Sequence, residues 1–491
     1  GIHVNIMIFE GKDFCQKGPR GCNLCSGVIS EKLYDGLKDQ NLCIPDRCIE
    51  SVIEGYSLQT QDGHIEIHHP KPLPGKKIVT VYRGNGPMYS DQPENISFDR
   101  FLLKHAESLG VKVCEEVVKE VVLPSNSKER VKIIFGKEGL NKELTADLVV
   151  GAFGINTGIQ EKIKNLGFGY IPPRTVRACQ TEIYLGEEEV HKLFKNKIHI
   201  FSLGIKPITY AKLIPRGNYV TVGLIGKTDL NKAHLHEFLG HPVIRHMFPE
   251  GWKMEKKHCI CFPKIQTTQA RHPFTHRFMI LGNAAISRYF KNGIESTFVV
   301  SEIAARSVFA TGVSENALLH GYYEPVKNLF GSDNFYGRKI FDLNEFITSR
   351  RSISFSYLSF LNANRDSPLV KKQLEILWNM FTGSIPYREV FFKACNPILQ
   401  FKLIPITVIA LTKHAVELAV SSKELRHEKR LSNLGNKGLG PLEDGQTVVI
   451  IGGGPAGTSC AITLSRLAKR RNLDISIVLY EGKDFGKDQQ F

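Results

Sequence analysis

Short apolar runs broken by polar stretches recur along most of the chain. They predict strands at Ile78 to Tyr82, Val131 to Phe135, Leu148 to Phe153, Ile198 to Leu203, Tyr219 to Ile225 and Phe278 to Leu281. Apolar residues at helical spacing predict helices at Phe98 to Leu109, Ile294 to Ala310 and Val313 to Lys327. After Lys339 the pattern turns helical and basic as far as Arg430, and a Gly/Asn/Ser-rich stretch, Leu431 to Gly445, reads as a linker. From Val448 to Lys469 comes a strand, a glycine turn and a helix. Strands and helices interleaved in this way predict an α/β fold.

One pattern occurs twice. Residues Val4 to Phe14 read VNIMIFEGKDF and Ile475 to Phe485 read ISIVLYEGKDF, identical at Ile6 and Ile477 and from Glu10 to Phe14 against Glu481 to Phe485. An offset from position 4 to position 475 exceeds any solenoid or propeller period, so a second copy of a whole module is expected to begin near Gln446. The chain then opens inside one copy, past the place of its glycine loop, and stops inside the next. A window from a longer tandem protein explains this, with a natural permutation as the rival.

The firmest motif is Gly452-x-Gly454-x-x-Gly457, with the apolar strand Val448 to Ile451 before it and a helix after it. Gly452 permits the tight turn, Gly454 admits a pyrophosphate against the backbone, and Gly457 lets helix and strand pack closely. The helix N-terminus offers unpaired N–H groups to the phosphates. Glu481, at the end of the next strand, is placed for the ribose hydroxyls of an adenosine, and Glu10 holds the equivalent place in the first copy.

Three further segments, in order, carry a family resemblance over residues 1 to about 340: Ser97 to Val111, Ala146 to Gly158 and Phe278 to Phe298. They resemble the geranylgeranyl reductase group, within the FAD enzymes related to p-hydroxybenzoate hydroxylase. The resemblance implies an FAD-binding Rossmann-type domain of three layers with a GxGxxG loop, an inserted α+β substrate domain and a helical C-terminal region. It implies that Arg100 helps hold the flavin, that Gly282 and Asn283 meet the ribityl chain, and that Gly293 makes a close approach to the ring. Phe153 and Asn283 stand where the family usually has Asp, which weakens tight FAD binding without excluding it.

On this reading residues 1–170 and 265–335 form the FAD domain, lacking its first strand and glycine loop. Segments 60–90 and 171–264 contribute the substrate domain. Residues 336–430 form the helical basic region, 431–445 the linker and 446–491 the start of a second FAD unit. The C-terminal unit could fold back into the vacant slot or swap as a strand into a neighbouring chain, since a linker of about 20 residues reaches roughly 25 Å.

Eleven Cys are spread along the chain, which suits free thiols in a reducing compartment. Cys22-Asn-Leu-Cys25 has CxxC spacing, yet no second such pair follows, and no metal site is expected. Cys25-Ser-Gly resembles the Cys-Gly-Gly segment that lies beside the flavin in the reductases, which makes Cys25 a flavin-proximal thiol; a buried spare thiol is the alternative. Tyr210 to Leu224 resembles the family's substrate-domain strand pair or is an ordinary hairpin turning at Arg216 to Asn218.

The formal charge of +15 suits a phosphorylated ligand, an anionic membrane surface or nucleic acid. Its cations are scattered, Trp is nearly absent, and no nucleic acid is expected. Leu403 to Thr412 is too short to cross a bilayer, which needs about 20 apolar residues. Phe391 to Pro405 could lie on a membrane surface or pack as a terminal helix pair. A cytoplasmic protein, with peripheral attachment as the option, is expected.

The activity implied is an FAD-dependent reduction of C=C bonds in an isoprenoid or other lipid, with NAD(P)H or ferredoxin as electron donor. An FAD monooxygenase on the same scaffold is the first alternative. A degenerate flavoprotein acting as a binding module is the second.

Overall fold

In the computed structural model, residues 4–18, 25–71, 75–90, 96–137, 139–254, 258–289, 293–396, 445, 447–451, 461, 464–466, 468–469 and 473–480 are described. The chain divides into two compact units, Gly1–Lys413 and His414–Phe491.

The first unit is built around a seven-stranded sheet. Its strand order is Ile260–Cys261, Cys179–Tyr184, Tyr219–Gly226, Ile208–Arg216, Lys197–Ser202, Gly55–Thr60 and Gly63–His68. Every pairing is antiparallel except Lys197–Ser202 with Gly55–Thr60. Strand alternation sorts the side chains to two faces. Ala211, Leu213, Val220 and Val222 point to a core closed by Val190, Phe194, Leu235 and Phe238, from the helices Glu187–Phe194 and Lys232–Gly240.

The opposite face, with Tyr56, Leu58, Ile198, Ile200 and Ile214, is covered by the helices Glu324–Thr348, Arg351–Ala363, Pro368–Thr382 and Tyr387–Ala394. Trp378 anchors this layer, 3% exposed, with its ring edge-on to Tyr56 at 5.6 Å and to His69 at 5.0 Å. Of the segment read as either membrane-facing or core-packed, Phe391 packs partly against this core while Phe392 is exposed. Residues 397–405 lie outside the described residues.

Beside this sheet stand smaller ones. Met7–Phe9 pairs in parallel with Lys112–Cys114. Val149–Gly151 pairs in parallel with Phe278–Ile280, which the helix Gly293–Thr311 follows. Ile78–Thr80 lies between Val28–Ile29 and Ser51–Ile53, so it stands in a different sheet from the hairpin Gly55–His68, although both fall near the 60–90 segment. The helix Phe98–Ser108 starts at Ser97, whose Oγ accepts from Arg100 N at 3.2 Å, the preferred arrangement for satisfying a first-turn N–H.

The helix expected over Val313 to Lys327 is instead a short turn, Glu315–Leu318, a π-turn, Leu319–Tyr323, and the long helix Glu324–Thr348. Pro325 gives the physical reason: it has no N–H to donate and its ring crowds the carbonyl four residues back, which a wider turn relieves.

In the second unit Thr447–Ile451 and Ser476–Tyr480 pair in parallel, Thr447 opposite Ser476 and Ile451 opposite Tyr480. A parallel pair needs a crossover of a dozen or more residues, and helical residues 464–466 and 468–469 lie in it. The expected site residues Gly452, Gly454, Gly457 and Glu481 lie outside the described residues, as does most of the 431–445 linker.

Candidate functional site

Where the helical layer leaves the sheet face, a cavity of about 380 Å³ opens in the first unit. Its floor is apolar, from Tyr56, Leu58, Ile200, Tyr210, Ile214 and Phe341. At one end it reaches Cys25, Asn283 and Gly293, three of the residues singled out in the sequence.

Cys25 lies on a turn that three elements hold. Its carbonyl accepts from Gln180 Nε2 at 3.3 Å and from Arg216 Nη2 at 3.4 Å, and its sulfur accepts from Gly27 N at 3.4 Å. Gly27 has φ +58°, and a Cβ there would collide with the Val81 carbonyl oxygen and Arg216 Nη2, so only glycine fits. Arg83 also faces the Cys25 sulfur and forms a two-pronged pair with Asp99 at 3.0 and 2.7 Å. Ser30, just beyond, hydrogen-bonds through its hydroxyl to Glu295 in the first turn of Gly293–Thr311, tying the Cys25 segment to the start of that helix.

Beneath this turn lies a buried polar cluster. Arg216, 1% exposed, has Nη1 3.8 Å from Glu182 Oε1 and its guanidinium 4.6 Å over the Tyr82 ring. Thr221 Oγ1 donates to Glu182 Oε2 at 2.7 Å. Burial pushes the Glu182 carboxyl up while Arg216 pulls it down. Burial likewise pushes Glu50 up to about 7, against Arg216 and with Glu182.

Gly282, at φ +67°, and Asn283 begin the turn after Phe278–Ile280. Asn283 Oδ1 is buried and has no hydrogen-bond partner among the described residues. A Cβ on Gly293 would stand 3.3 Å from Asn283 Nδ2, so the bare glycine keeps the amide accessible from the helix start.

Two expected cofactor residues stand apart from this cavity. Glu10 follows Met7–Phe9; its N donates to the Cys114 carbonyl at 3.0 Å and its Oε1 accepts from Lys12 N at 2.8 Å. Arg100 Nη1 donates to Cys15 Sγ at 2.7 Å. Phe153 packs in the core around Phe278 and Ile280. Among the described residues no group of three or more His, Cys, Asp or Glu is placed to hold a metal ion. None of the described helices is long and apolar enough to cross a membrane.

Sequence reading missed Lys212, Gln180, Glu182 and Arg216. Each lies at an alternate position of its strand, and only the seven-stranded register brings them to the cavity side of the sheet. The charged residues among apolar neighbours in Ile208–Arg216 were the one available signal.

No family model matches the chain, and no curated protein does. Among solved structures it is similar to a geranylgeranyl bacteriochlorophyll reductase-like protein from Thermoplasma acidophilum, at 14% identity and TM-score 0.53, covering 82% of this chain and 98% of that one. It is similar to a flavoprotein/dehydrogenase from Cytophaga hutchinsonii, at 16% identity and TM-score 0.54, covering 84% and 94%. The flavin-dependent brominase Bmp2 matches at 13% identity and TM-score 0.54, covering 80% and 92%. The chain therefore has the fold of FAD-dependent oxidoreductases. The reductase-like protein carries that fold, as the residue resemblance led one to expect.

Proposed function

We propose that the chain is an FAD-dependent oxidoreductase that reduces a C=C bond of an isoprenoid or other lipid lying in the apolar cavity. The observation that carries this reading is the cavity end, where Asn283 Oδ1 is buried without a partner beside Gly293 and the Cys25 turn. A buried acceptor left unmatched costs about 1–3 kcal/mol, which a ligand hydroxyl or N–H would recover. The residues present thus fit the ring and ribityl end of FAD. Asn283 would accept from a ribityl hydroxyl, Gly293 would allow the close approach, and Glu10 would take the adenosine ribose.

When bound, FAD supplies the hydride. The chain's own groups position the ring and the substrate. The N-terminus of Gly293–Thr311 favours negative charge near the ring. The Gln180 and Arg216 side chains fix the Cys25 turn against that end of the cavity. Tyr56, Leu58, Ile200 and Phe341 exclude water and align an apolar chain. NAD(P)H or ferredoxin would serve as donor, and the Lys-rich surface leaves attachment to an anionic membrane as part of the proposal.

The test is anaerobic. The full chain is loaded with FAD, reduced with dithionite and mixed with geranylgeraniol. Flavin reoxidation matched by product heavier by two hydrogens per bond is the expected result. Product formed only with oxygen, and carrying it, identifies a monooxygenase instead. A chain that takes up no FAD favours the binding-module reading over either enzyme.

A further inference from the structure

Lys212 stands between Tyr210 and Ile214 on the cavity face of the seven-stranded sheet and pairs across the hairpin with Gly223. The glycine makes room for it. A Cβ at residue 223 would lie 2.9 Å from Lys212 Cε and 3.2 Å from Cγ, so the lysine stem lies across that residue.

The other cavity cations are accounted for. Arg288 pairs with Asp333 at 3.2 Å and donates to two carbonyls, Lys227 pairs with Glu345 at 2.8 Å, and Lys264 is exposed. Lys212 has no hydrogen bond or ion pair among the described residues. Burial pulls its ammonium down to about 8, with Cys25 holding it up and Arg216 pushing it further down. Lys212 is half-buried on the cavity wall, and an ammonium held there without a partner is costly in proportion to the water it has lost, a cost that an incoming anion reduces.

We propose that Lys212 anchors an anionic headgroup, a carboxylate or a phosphate, on a ligand whose apolar chain runs along Leu58, Ile198, Ile200 and Phe341. This rests on the lipid-substrate reading above and narrows it to anionic lipids. It also sets where the chain can lie, since the head is held at the Cys25 side of the floor.

Equilibrium dialysis of the full chain without FAD tests this, using oleate, oleyl phosphate and oleyl alcohol below their micelle concentrations. The two anions compared with each other distinguish carboxylate from phosphate. At least one anion is expected to bind about 10- to 100-fold more tightly than the alcohol, the range of one charge-assisted hydrogen bond. Lys212→Met removes that preference and leaves alcohol binding unchanged. Gly223→Val keeps the amine but displaces it, and is expected to lose the preference too; Lys212→Arg keeps it. Thermal unfolding of each variant reports whether it folds. If wild type binds the alcohol as well as the anions, or binds none of the three, the proposal is overturned. A preference that survives in folded Lys212→Met overturns it as well. Because no flavin is present, anion binding here stands apart from the enzyme reading, which fails by itself if the FAD-loaded, reduced chain binds the same anions and reduces no alkene.

Discussion

Glu50, half-buried, and Glu182, buried, set two carboxylates against the one guanidinium of Arg216 beneath the Cys25 turn, and the imbalance has a measurable consequence. Burial pushes Glu50 from 4.5 up to about 7; Arg216 opposes the shift and Glu182 adds to it. The folded protein therefore binds this proton more tightly than the unfolded chain does. The associated stability is fully present below pH 4.5 and is lost as pH rises through 7. At about 1.4 kcal/mol per pH unit the difference amounts to about 3 kcal/mol. Glu50→Gln fixes the neutral state, so this component of the pH dependence disappears. The variant should be more stable than wild type at pH 8 and close to it at pH 4.5. Scanning calorimetry of the full chain at the two pH values reads it, and about 3 kcal/mol in a unit of this size shifts the midpoint by about 2–4 °C. If wild type and Glu50→Gln lose the same stability between pH 4.5 and 8, the carboxyl is not held protonated and the cluster is misread.

Gly27→Ala forces a Cβ onto the Val81 carbonyl and Arg216 at φ +58°, and should cost more than about 1 kcal/mol while loosening the Cys25 turn, read by urea unfolding and faster thiol labelling at Cys25. Arg288→Met strands Asp333, 6% exposed, in the interior and should cost about 3–5 kcal/mol; Asp333→Asn in the same chain should restore part of it in the same unfolding assay. Trp378→Ala should cost about 3–5 kcal/mol by opening the interface between the helical layer and the sheet, seen as a lowered calorimetric midpoint.

Two strands of the large sheet, Lys197–Ser202 and Tyr219–Gly226, were legible because β-branched and aromatic residues alternate there between two packed faces. The helix Gly293–Thr311 was equally legible, from its apolar spacing and the glycine at its start. The three-residue strand Ser51–Ile53 was not, because so short an element is defined by its neighbours rather than by its own pattern. Asn283 and Gly293 came from motif order, and Cys25 from its local Cys-Ser-Gly. Lys212 and Arg216 could not, since which face of which strand meets the cavity depends on a register set by residues far apart in sequence. Arg100 also came from motif order; its guanidinium donates to Cys15.

The cavity end at Asn283 is proposed as the flavin site. Binding of FAD to the full chain, followed by quenching of flavin fluorescence, tests it directly. Saturable binding is expected, weakened by about 5- to 30-fold in Asn283→Ala and abolished in Gly293→Val, with Gly454→Trp leaving the Asn283 effect intact. Wild-type protein that binds no FAD, or folded Asn283→Ala and Gly293→Val chains that bind it as tightly as wild type, would contradict it.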